Sequence, residues 1–509
     1  MFMRHWINSV FRLYYSRRYL HFNSIYSNPE KLQEHWRSYL VQRAEKTNYG
    51  KAFNFSQIKD YHSFSEQIPV VDYEPLKPFI HQMMLGQSDV LWPGKVRWFA
   101  KSAGTSQDKS KFIPVSTENR QKCHLRGTWD TMMFYYHFRP NARQFEAKTL
   151  LMGGSILPFD EFPYSQVGDI SAIMIKHLPW VAIPFFAPDI PTALISNWDE
   201  KLEKIAQHAA NQSDIVMVGG VPTWTLLLFH RILAITGKNH IQEVWPNFQL
   251  YTHGGVSFLP YREQFKALFP LPGVQFIETY NATEGFFAVR DHPDEDSGMR
   301  LLLNNGIFYE FIPQDAHNEY NSSPIPLSEV ALNLNYAMVI TTNSGLWRYK
   351  IGDTVEFTSL NPYRLKVTGR VQQFLNTFGE EVMVENTDKA LAMTCQQFAV
   401  FAIEYTVAPK FLSHNEKGAH EWIIEFENPP PDVELFAVSL DKNLQTINSD
   451  YEAKRFSNLA ITQLILHSVN KGTFHRWMRS KMRFGNQNKV PRLSENRRVL
   501  EEIMSFSKL

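Results

Sequence analysis

Short apolar runs alternate with helical patterns between Lys95 and Tyr280, and this alternation constrains the fold more than any other feature. Residues 215–218 (Ile-Val-Met-Val) form a continuous apolar run with the length of a buried strand. The following segment begins with Pro222 and ends before Gly237, residue types that favour the start and the end of a helix. Strands that alternate with helices in this way predict an α/β architecture.

The pattern changes to short β-type runs over residues 299–374. Residues 343–345 (Asn-Ser-Gly) separate two of these runs, which predicts a hairpin turn. Helical patterns then return and mix with further β runs up to the end of the sequence. We therefore expect two domains, a large N-terminal one over residues 1–375 and a smaller α+β one over residues 376–509.

The composition excludes several classes of protein. Hydrophobic residues are 44% and charged residues 20% of the 509 residues, which argues against intrinsic disorder. The net charge of +1 provides no overall field for nucleic acid. Two cysteines, Cys123 and Cys395, are too few for a disulfide scaffold or a thiolate-rich zinc site. No apolar stretch reaches the roughly 18 residues that span a bilayer. We expect a soluble, cytoplasmic protein with no membrane span.

The first 29 residues contain four arginines and no Asp or Glu. An acid-poor, arginine-bearing start is typical of an organellar transit peptide. For a cleaved leader, however, the segment has unusually many aromatic residues, which are Trp6, Phe11, Tyr14, Tyr15, Tyr19 and Phe22. We expect a helix that docks on the folded protein. A targeting segment and an interfacial membrane helix are the alternatives.

Residues 101–111 (Lys-Ser-Ala-Gly-Thr-Ser-Gln-Asp-Lys-Ser-Lys) form a polar segment after a predicted strand. Its four hydroxyl side chains, its lysines and the backbone N–H groups around Gly104 suit a polyphosphate, because that charge needs several converging donors. The segment lacks the glycine spacing of the standard P-loop. The alternative interpretation is a solvated polar loop.

Residues 278–285 (Glu-Thr-Tyr-Asn-Ala-Thr-Glu-Gly) lie where another predicted strand ends, at the edge where open α/β sheets bind ligands. The Thr283 hydroxyl can donate to a phosphoryl oxygen, and the Glu284 carboxylate is a hard oxygen ligand suited to Mg²⁺. In the alternative interpretation, both residues belong to an ordinary helix N-terminus. Asp353 follows Gly352, and its carboxylate can accept hydrogen bonds from two ribose hydroxyls. The alternative there is a common Gly-Asp turn at a strand end.

The order and spacing of these segments resemble the adenylate-forming superfamily: a Ser/Thr-rich loop, Tyr-x-x-Thr-Glu, Tyr-x-x-Gly-Asp, Gly-Arg and a C-terminal Lys. The details are similar to the auxin-responsive Gretchen Hagen family of acyl acid amido synthetases. Residues 345–353 (Gly-Leu-Trp-Arg-Tyr-Lys-Ile-Gly-Asp) are close to that family's Gly-Leu-Tyr-Arg-Tyr-Arg-x-Gly-Asp. Residues 486–492 match its Asn-Gln-x-Lys-x-Pro-Arg motif. The agreement covers essentially the whole chain.

The resemblance implies a large adenylate-forming N-terminal domain, with α/β sheets and a β-rich subdomain, and a mobile C-terminal domain. It also implies a nucleotide-binding ligase that uses ATP and Mg²⁺. A carboxylic acid would be adenylated, and an amine, expected to be that of an amino acid, would displace AMP to form an amide.

The resemblance also implies roles for individual residues. The catalytic residues at the α-phosphate would be Lys489 and Thr283, and Glu284 would bind Mg²⁺. The β- and γ-phosphates would be bound by Ser102, Thr105, Ser106 and Lys111, and the ribose by Asp353. Gly254 and Gly255 would allow close approach of the adenine or the acyl group, and Tyr280 would also bind the nucleotide.

Two departures from the family pattern affect the phosphate loop. Ala103 replaces a serine, and Gln107 and Asp108 replace a small residue and a glycine. The Asp108 carboxylate is unfavourable beside a polyphosphate unless it faces away or pairs with a lysine. Three alternatives remain open, which are an acyl-CoA ligase with the same adenylation step, a non-catalytic acid-binding protein, and a hydrolase that needs no ATP. The sequence identifies neither the acid nor the amine.

Overall fold

A computed structural model describes the chain except for scattered short segments. The described residues are 2–102, 111–157, 161–255, 258, 261–292, 297–314, 322–371, 374–375, 382–410, 418–448, 451–452, 455, 461–481, 490–494 and 496–507. The fold class is α/β as predicted, with a large sheet in the N-terminal part and a small separate sheet in the C-terminal part.

The strands of the described residues are numbered here in chain order. They are β1 Trp98–Ser102, β2 Lys111–Val115, β3 Lys148–Leu151, β4 Ile156–Leu157, β5 Gln166–Gly168, β6 Phe186–Ala187, β7 Ile215–Gly219, β8 Leu250–Gly254, β9 Gln275–Ala282, β10 Gly285–Val289, β11 Met299–Leu301, β12 Ile307–Pro313, β13 Ile325–Pro326, β14 Asn335–Thr342, β15 Tyr349–Leu360, β16 Tyr363–Arg370, β17 Phe374–Leu375, β18 Val382–Met383, β19 Ala402–Lys410, β20 Ala419–Phe426 and β21 Ile465–Val469.

The α-helices of the same residues are given by their bounds. They are Phe2–Ile25, Pro29–Ala44, Asn48–Ala52, Tyr61–Gln67, Tyr73–Met84, Thr117–Asn119, Arg126–Phe138, Ile170–Lys176, Ile190–Ala193, Trp198–Ala210, Pro222–Thr236, Ile241–Val244, Arg262–Leu268, Val384–Phe398, Val433–Ile447, Thr473–Lys481 and Arg498–Ser507. None of the helices in the described part of the chain combines the length and apolar character of a membrane-crossing helix.

The described residues form a twelve-stranded sheet in the order β13-β12-β14-β15-β16-β11-β10-β9-β8-β7-β3-β6. The half from β9 to β6 is parallel, and the half from β13 to β9 is antiparallel. Strands in the parallel half bury apolar side chains on both faces, as parallel sheets require. On β7, Val218 packs with the helices on one face, whereas Met217 joins the core on the other.

Local signals set the helix boundaries in this half, and those at Pro222 and Gly237 are as predicted. The Asn197 side chain accepts a hydrogen bond from the Glu200 N–H group (3.0 Å) and caps the helix Trp198–Ala210. Pro222 starts the helix Pro222–Thr236, and Gly237 ends it in the left-handed conformation with φ +66°.

The N-terminal segment is a docked helix, as expected. Helix Phe2–Ile25 packs along helix Arg126–Phe138, with the Tyr15 ring buried 5.7 Å from the Trp129 ring. The Arg18 guanidinium lies 2.6 Å from the Asp130 carboxylate, which is itself buried. This pair directs one arginine of the segment inward.

The helix after β2 departs from the regular pattern. Ser116 caps it by accepting a hydrogen bond from the Asn119 N–H group (2.9 Å), but residues 120–125 are π-helical. The Cys123 sulfur in this wider turn accepts a hydrogen bond from the Phe286 N–H group of β10 (3.2 Å). Burial raises the pKa of the Cys123 thiol to about 12, so the thiol packs as an inert apolar group.

The C-terminal part has its own sheet and core. Strands β19, β20 and β21 form a three-stranded sheet, on which the helices Val384–Phe398 and Val433–Ile447 pack. Trp422 and Phe436 lie at the centre of this core and are fully buried. This core shares no residue with the two clusters that cover the large sheet, whereas Trp224 of helix Pro222–Thr236 packs against a second C-terminal cluster that contains Ile423 and Phe474.

Candidate functional site

Two of the predicted site residues meet across the large sheet. The Tyr280 hydroxyl of β9 donates a hydrogen bond to Asp353 Oδ2 of β15 (2.7 Å). Four strand steps separate β9 from β15, which in a flat sheet at about 4.8 Å per step would be a distance of about 19 Å. The antiparallel half must therefore curl strongly to bring the two side chains together.

Asp353 lies inside strand β15, not at a strand end. The pairing of β15 with β14 is irregular between Thr354 and Lys350, which makes a bulge that contains Gly352 and Asp353. Gly352 has φ +85°, a conformation that favours glycine. Bulges redirect side chains beside functional sites, and this one turns the Asp353 carboxylate toward Tyr280. The alternative of a strand-ending turn is wrong.

Thr283 and Glu284 form the two-residue turn of a hairpin. Ala282 at the end of β9 pairs with Gly285 at the start of β10, so the alternative of a helix N-terminus is also wrong. Each turn residue is only 8% exposed, whereas hairpin turns are usually solvated. A Cβ atom on Gly285 would lie 2.8 Å from the Ile307 side chain, so the turn is pressed against the core.

The glycines after β8 have a structural explanation of their own. Gly254 pairs with Thr279 of the neighbouring strand, and a Cβ atom on Gly254 would lie 2.3 Å from the Thr279 carbonyl oxygen. Gly255 has φ +83°. Strand packing and backbone conformation thus require both glycines, and their contact with a nucleotide stays a prediction.

The predicted phosphate loop joins the two strands of a hairpin. Ser102 at the end of β1 pairs with Lys111 at the start of β2, and the Lys111 ammonium lies 5.9 Å from the centre of the Tyr73 ring. Thr105 and Ser106 lie outside the described residues. The structure therefore confirms the strand before the loop but does not test the phosphate contacts.

Sequence reasoning missed a buried charge cluster behind β1. Lys101 and Lys201 are both buried, and the Lys201 ammonium donates hydrogen bonds to the carbonyl oxygens of Gly153 (3.0 Å) and Gly154 (2.8 Å). Burial lowers the pKa of Lys201 to about 8 and raises that of Asp169 to about 6. No local pattern marks these residues, because a lysine on an amphipathic helix ordinarily faces water.

His253, the residue before Gly254, is a second side chain that sequence reasoning missed. It is 2% exposed, and its ring stacks on Phe258 with 4.0 Å between centroids. Neither ring nitrogen has a hydrogen-bond partner among the described residues. Burial, together with the charges of Arg290 and Arg262, lowers the pKa of His253 well below its usual value, so the ring is neutral.

The buried turn at the end of β9 offers one carboxylate, that of Glu284, as an oxygen ligand for Mg²⁺. Within the described ranges, no three His, Cys, Asp or Glu side chains converge into a metal-binding cluster. Proteins commonly hold Mg²⁺ through one or two carboxylates together with substrate phosphates and water. Glu284, beside Thr283 in the buried turn, can supply such a carboxylate.

Lys489 lies outside the described residues, but the residues that follow it are fixed in place. Arg492 is buried, forms an ion pair with Glu404 and donates a hydrogen bond to the Tyr405 carbonyl oxygen (3.2 Å). It also donates to the Tyr261 hydroxyl in the N-terminal part. The end of the motif is thus clamped between the C-terminal sheet and the N-terminal part.

The structure brings several of the predicted residues together. Tyr280 contacts Asp353, and strand β9 also leads directly into the turn with Thr283 and Glu284. Gly254 lies on the adjacent strand. Together they form one polar site at the edge where β8 and β9 end, the position at which open sheets bind ligands.

Three family models match the chain. The GH3 family N-terminal domain matches residues 18–155 and 154–273, the central domain residues 300–370, and the C-terminal domain residues 385–498.

Curated relatives and solved structures agree with this match. The chain is 22% identical to "Indole-3-acetic acid-amido synthetase GH3.4" of Arabidopsis thaliana, over 91% of this chain and 89% of the relative. It is 23% identical to "Jasmonoyl--L-amino acid synthetase JAR4" of Nicotiana attenuata, over 88% and 87%. The fold resembles that of a GH3.15 acyl acid amido synthetase, with a TM-score of 0.78, 16% identity and 95% of each chain covered. Since the three models span most of residues 18–498, this chain belongs to the GH3 family, as its motifs predict.

Proposed function

We propose that this protein is an ATP-dependent acyl acid amido synthetase, a ligase that adenylates a carboxylic acid and transfers the acyl group to the amine of an amino acid. The observation that carries the proposal is the polar site at the end of β8 and β9, in which Tyr280 holds Asp353 beside the buried turn. Family membership and the relatives named for joining acids to amino acids support it.

The chemistry follows from the poor leaving ability of a carboxylate oxygen. In the first step, the carboxylate attacks the α-phosphorus of ATP, an O–P bond forms, and pyrophosphate leaves. In the second, the amine nitrogen attacks the acyl carbon, AMP leaves with the electron pair, and the amine loses a proton. The protein must neutralise charge at the α-phosphate in the first step and exclude water in the second.

The proposed roles of the residues rest on these needs. Asp353, oriented by Tyr280, accepts hydrogen bonds from the ribose hydroxyls, and Thr283 donates to the α-phosphate. Glu284 holds Mg²⁺, which neutralises phosphate charge when bound. The β- and γ-phosphates are bound by Ser102, Thr105, Ser106 and Lys111.

We also propose a two-domain arrangement in which residues 376–509 close over residues 1–375 and deliver Lys489 to the α-phosphate. A cytoplasmic location is proposed as well, and it is supported by two cysteines that are both free and buried.

The function is tested by acid-dependent exchange of labelled pyrophosphate into ATP. Indole-3-acetate and jasmonate are the first acids to try, because the names of the two reported relatives contain them. We expect exchange with at least one carboxylic acid and rapid AMP release after an amino acid is added. AMP release that requires coenzyme A instead would indicate an acyl-CoA ligase. ATP binding without exchange for any acid would indicate a non-catalytic binding protein.

The variant Asp353→Ala tests the proposed contact between Asp353 and the ribose of ATP. Because a hydrogen bond to a charged group contributes about 1.5–3 kcal/mol, losing even one of the two ribose hydrogen bonds should lower the ATP affinity measured by calorimetry at least on the order of 10- to 100-fold. Tyr280→Phe keeps the carboxylate but removes the hydroxyl that orients it, and we expect a smaller loss. Unchanged ATP affinity in a folded Asp353→Ala protein would remove the ribose assignment.

Glu284→Gln should raise the Mg²⁺ concentration needed for half-maximal exchange at least on the order of 10- to 100-fold, the loss typical even for a residue that only supports a metal ligand. Binding of the free acid should change little. Glu278→Gln is the control, since Glu278 lies on the same strand but pairs with Arg290 (2.9 Å). If the Mg²⁺ dependence of Glu284→Gln overlays that of the wild type, Glu284 is a structural turn residue.

A further inference from the structure

The N-terminal helix Phe2–Ile25 has a second apolar face that points away from the protein. Trp6, Val10, Leu13 and Leu20 are 65%, 48%, 54% and 71% exposed. They follow one another four, three and seven residues apart, so they lie on one face of the helix. The face that includes Tyr15 packs on the core. A helix docked on a globular protein normally turns charged residues outward.

A loop beside this helix is exposed and apolar too. Trp180 is 81% and Ile183 46% exposed. The loop and the helix meet through a row of rings, because Phe145 stacks on Phe11 of the helix (3.7 Å) and contacts Phe185 of the loop (5.4 Å). Phe11 lies on the packed side of the helix, so the loop is a neighbouring segment, and the outward helix face with its exposed Arg17 is called the apolar-basic surface below.

The two segments contain no carboxylate of their own, although Asp214, Glu146 and Asp130 of neighbouring segments pair with Arg4, His5 and Arg18. Residues 1–29 contain no Asp or Glu, and neither do residues 170–188. Arg17 is exposed and lies between Leu13 and Leu20 on the outward face, whereas Lys176 is exposed before the loop. The outward face therefore combines large apolar side chains, among them the Trp6 ring, with the exposed Arg17 cation.

We propose that the apolar-basic surface docks on the headgroup region of an anionic lipid bilayer. Amphipathic helices bind there by inserting apolar side chains to shallow depth, while basic side chains contact lipid phosphates. The tryptophan ring, apolar with one N–H donor, favours the membrane–water interface. Arg17 can extend its aliphatic stem along the apolar face and place its guanidinium among the phosphates.

The position of Arg17 disfavours the other obvious occupant, a second copy of this chain. A symmetric contact between two such faces would bury Arg17 near its centre. Neither segment offers a carboxylate to pair with it, and burying an unpaired charge is strongly unfavourable. A bilayer supplies the missing negative partner and keeps water nearby.

Flotation of the full-length protein with lipid vesicles tests the proposal. One set of vesicles contains phosphatidylcholine alone, and the other contains equal parts of phosphatidylcholine and phosphatidylglycerol. We expect the protein to float with the mixed vesicles, to bind the neutral ones less, and to be released by high salt because the attraction to the headgroups is screened.

Two variants and one control separate the contributions. Combining Trp6→Ser, Leu13→Ser and Leu20→Ser should lower the vesicle partition coefficient on the order of 100-fold, because three large apolar side chains no longer insert. Arg17→Glu should lower binding to the mixed vesicles about tenfold. Leu435→Ser removes a residue that is 53% exposed on a C-terminal helix and should leave binding unchanged.

Either of two results would overturn the proposal. One is a protein that stays unbound with both kinds of vesicle, and the other is equal binding by the wild type and the triple variant. Analytical ultracentrifugation addresses the alternative. A dimer that the triple variant converts to a monomer, without any vesicle binding, would assign the surface to self-association.

Discussion

Lys489→Ala should slow acid-dependent pyrophosphate exchange about 10²- to 10³-fold, the range typical for loss of one preorganised group at a site of developing charge. Charge accumulates at the α-phosphate as the carboxylate attacks, and an ammonium group there stabilises the transition state. Because the lysine would arrive only when the C-terminal part closes, ATP affinity should change much less than the exchange rate. Exchange kinetics and calorimetry on the same preparation measure the two quantities.

Lys481→Ala is the control for the lysine variant. Lys481 ends the preceding helix, is 39% exposed, and places its ammonium 2.9 Å from the Glu502 carboxylate. Removing such a surface pair should alter the free energy of unfolding by at most about 1 kcal/mol and leave exchange intact. Full exchange activity in Lys489→Ala would place the catalytic cation elsewhere and would contradict the role proposed for the C-terminal motif.

Arg348→Ala should lower the free energy of unfolding by about 3–5 kcal/mol, because it leaves a buried carboxylate without its cationic partner. The Arg348 guanidinium lies 2.8 Å from the Glu310 carboxylate and donates to the carbonyl oxygens of Ser65 (2.8 Å) and Ile68 (2.7 Å). Arg348 is 4% exposed and Glu310 is fully buried. Urea unfolding of the two proteins measures the difference.

Two further variants make this result specific. Replacing both partners, as Arg348→Met with Glu310→Gln, removes the unpaired charge and should recover part of the lost stability. Arg231→Ala breaks an exposed pair with Glu203 (2.7 Å) and should cost less than about 1 kcal/mol. A loss below about 1 kcal/mol for Arg348→Ala would contradict a structural role for this ion pair.

The variants Arg348→Ala and Asp353→Ala distinguish two roles of residues within one family motif. Residues 345–353 contain both kinds of residue, since Arg348, which directly precedes strand β15, joins the chain to the N-terminal helices, whereas Asp353, within β15, contacts Tyr280. A motif shared over a family therefore contains side chains that hold a strand in position as well as side chains expected to touch the nucleotide. Stability measurements and ATP affinity separate the two kinds.

The sequence by itself determined the fold class, the family and many element boundaries, because these depend on local chemistry. Asn197 caps a helix with its own side chain, and Gly237 ends one because glycine adopts positive φ at little cost. Residues 343–345 turn the chain between β14 and β15 as predicted. The motif spacing sufficed for the family, since it reports which residues are present and in what order.

Only the tertiary structure decided how distant residues meet. Tyr280 and Asp353 are 73 residues apart, and their contact requires a curled sheet and a bulge in β15, neither of which leaves a periodic trace in the sequence. The burial of Lys201 likewise depends on carbonyl oxygens that another segment supplies. Periodicity assigns a side chain to a face of its own element, but what covers that face is set by long-range packing. For the same reason the exposure of the apolar face at Leu13 follows from the packing of the opposite helix face on the core.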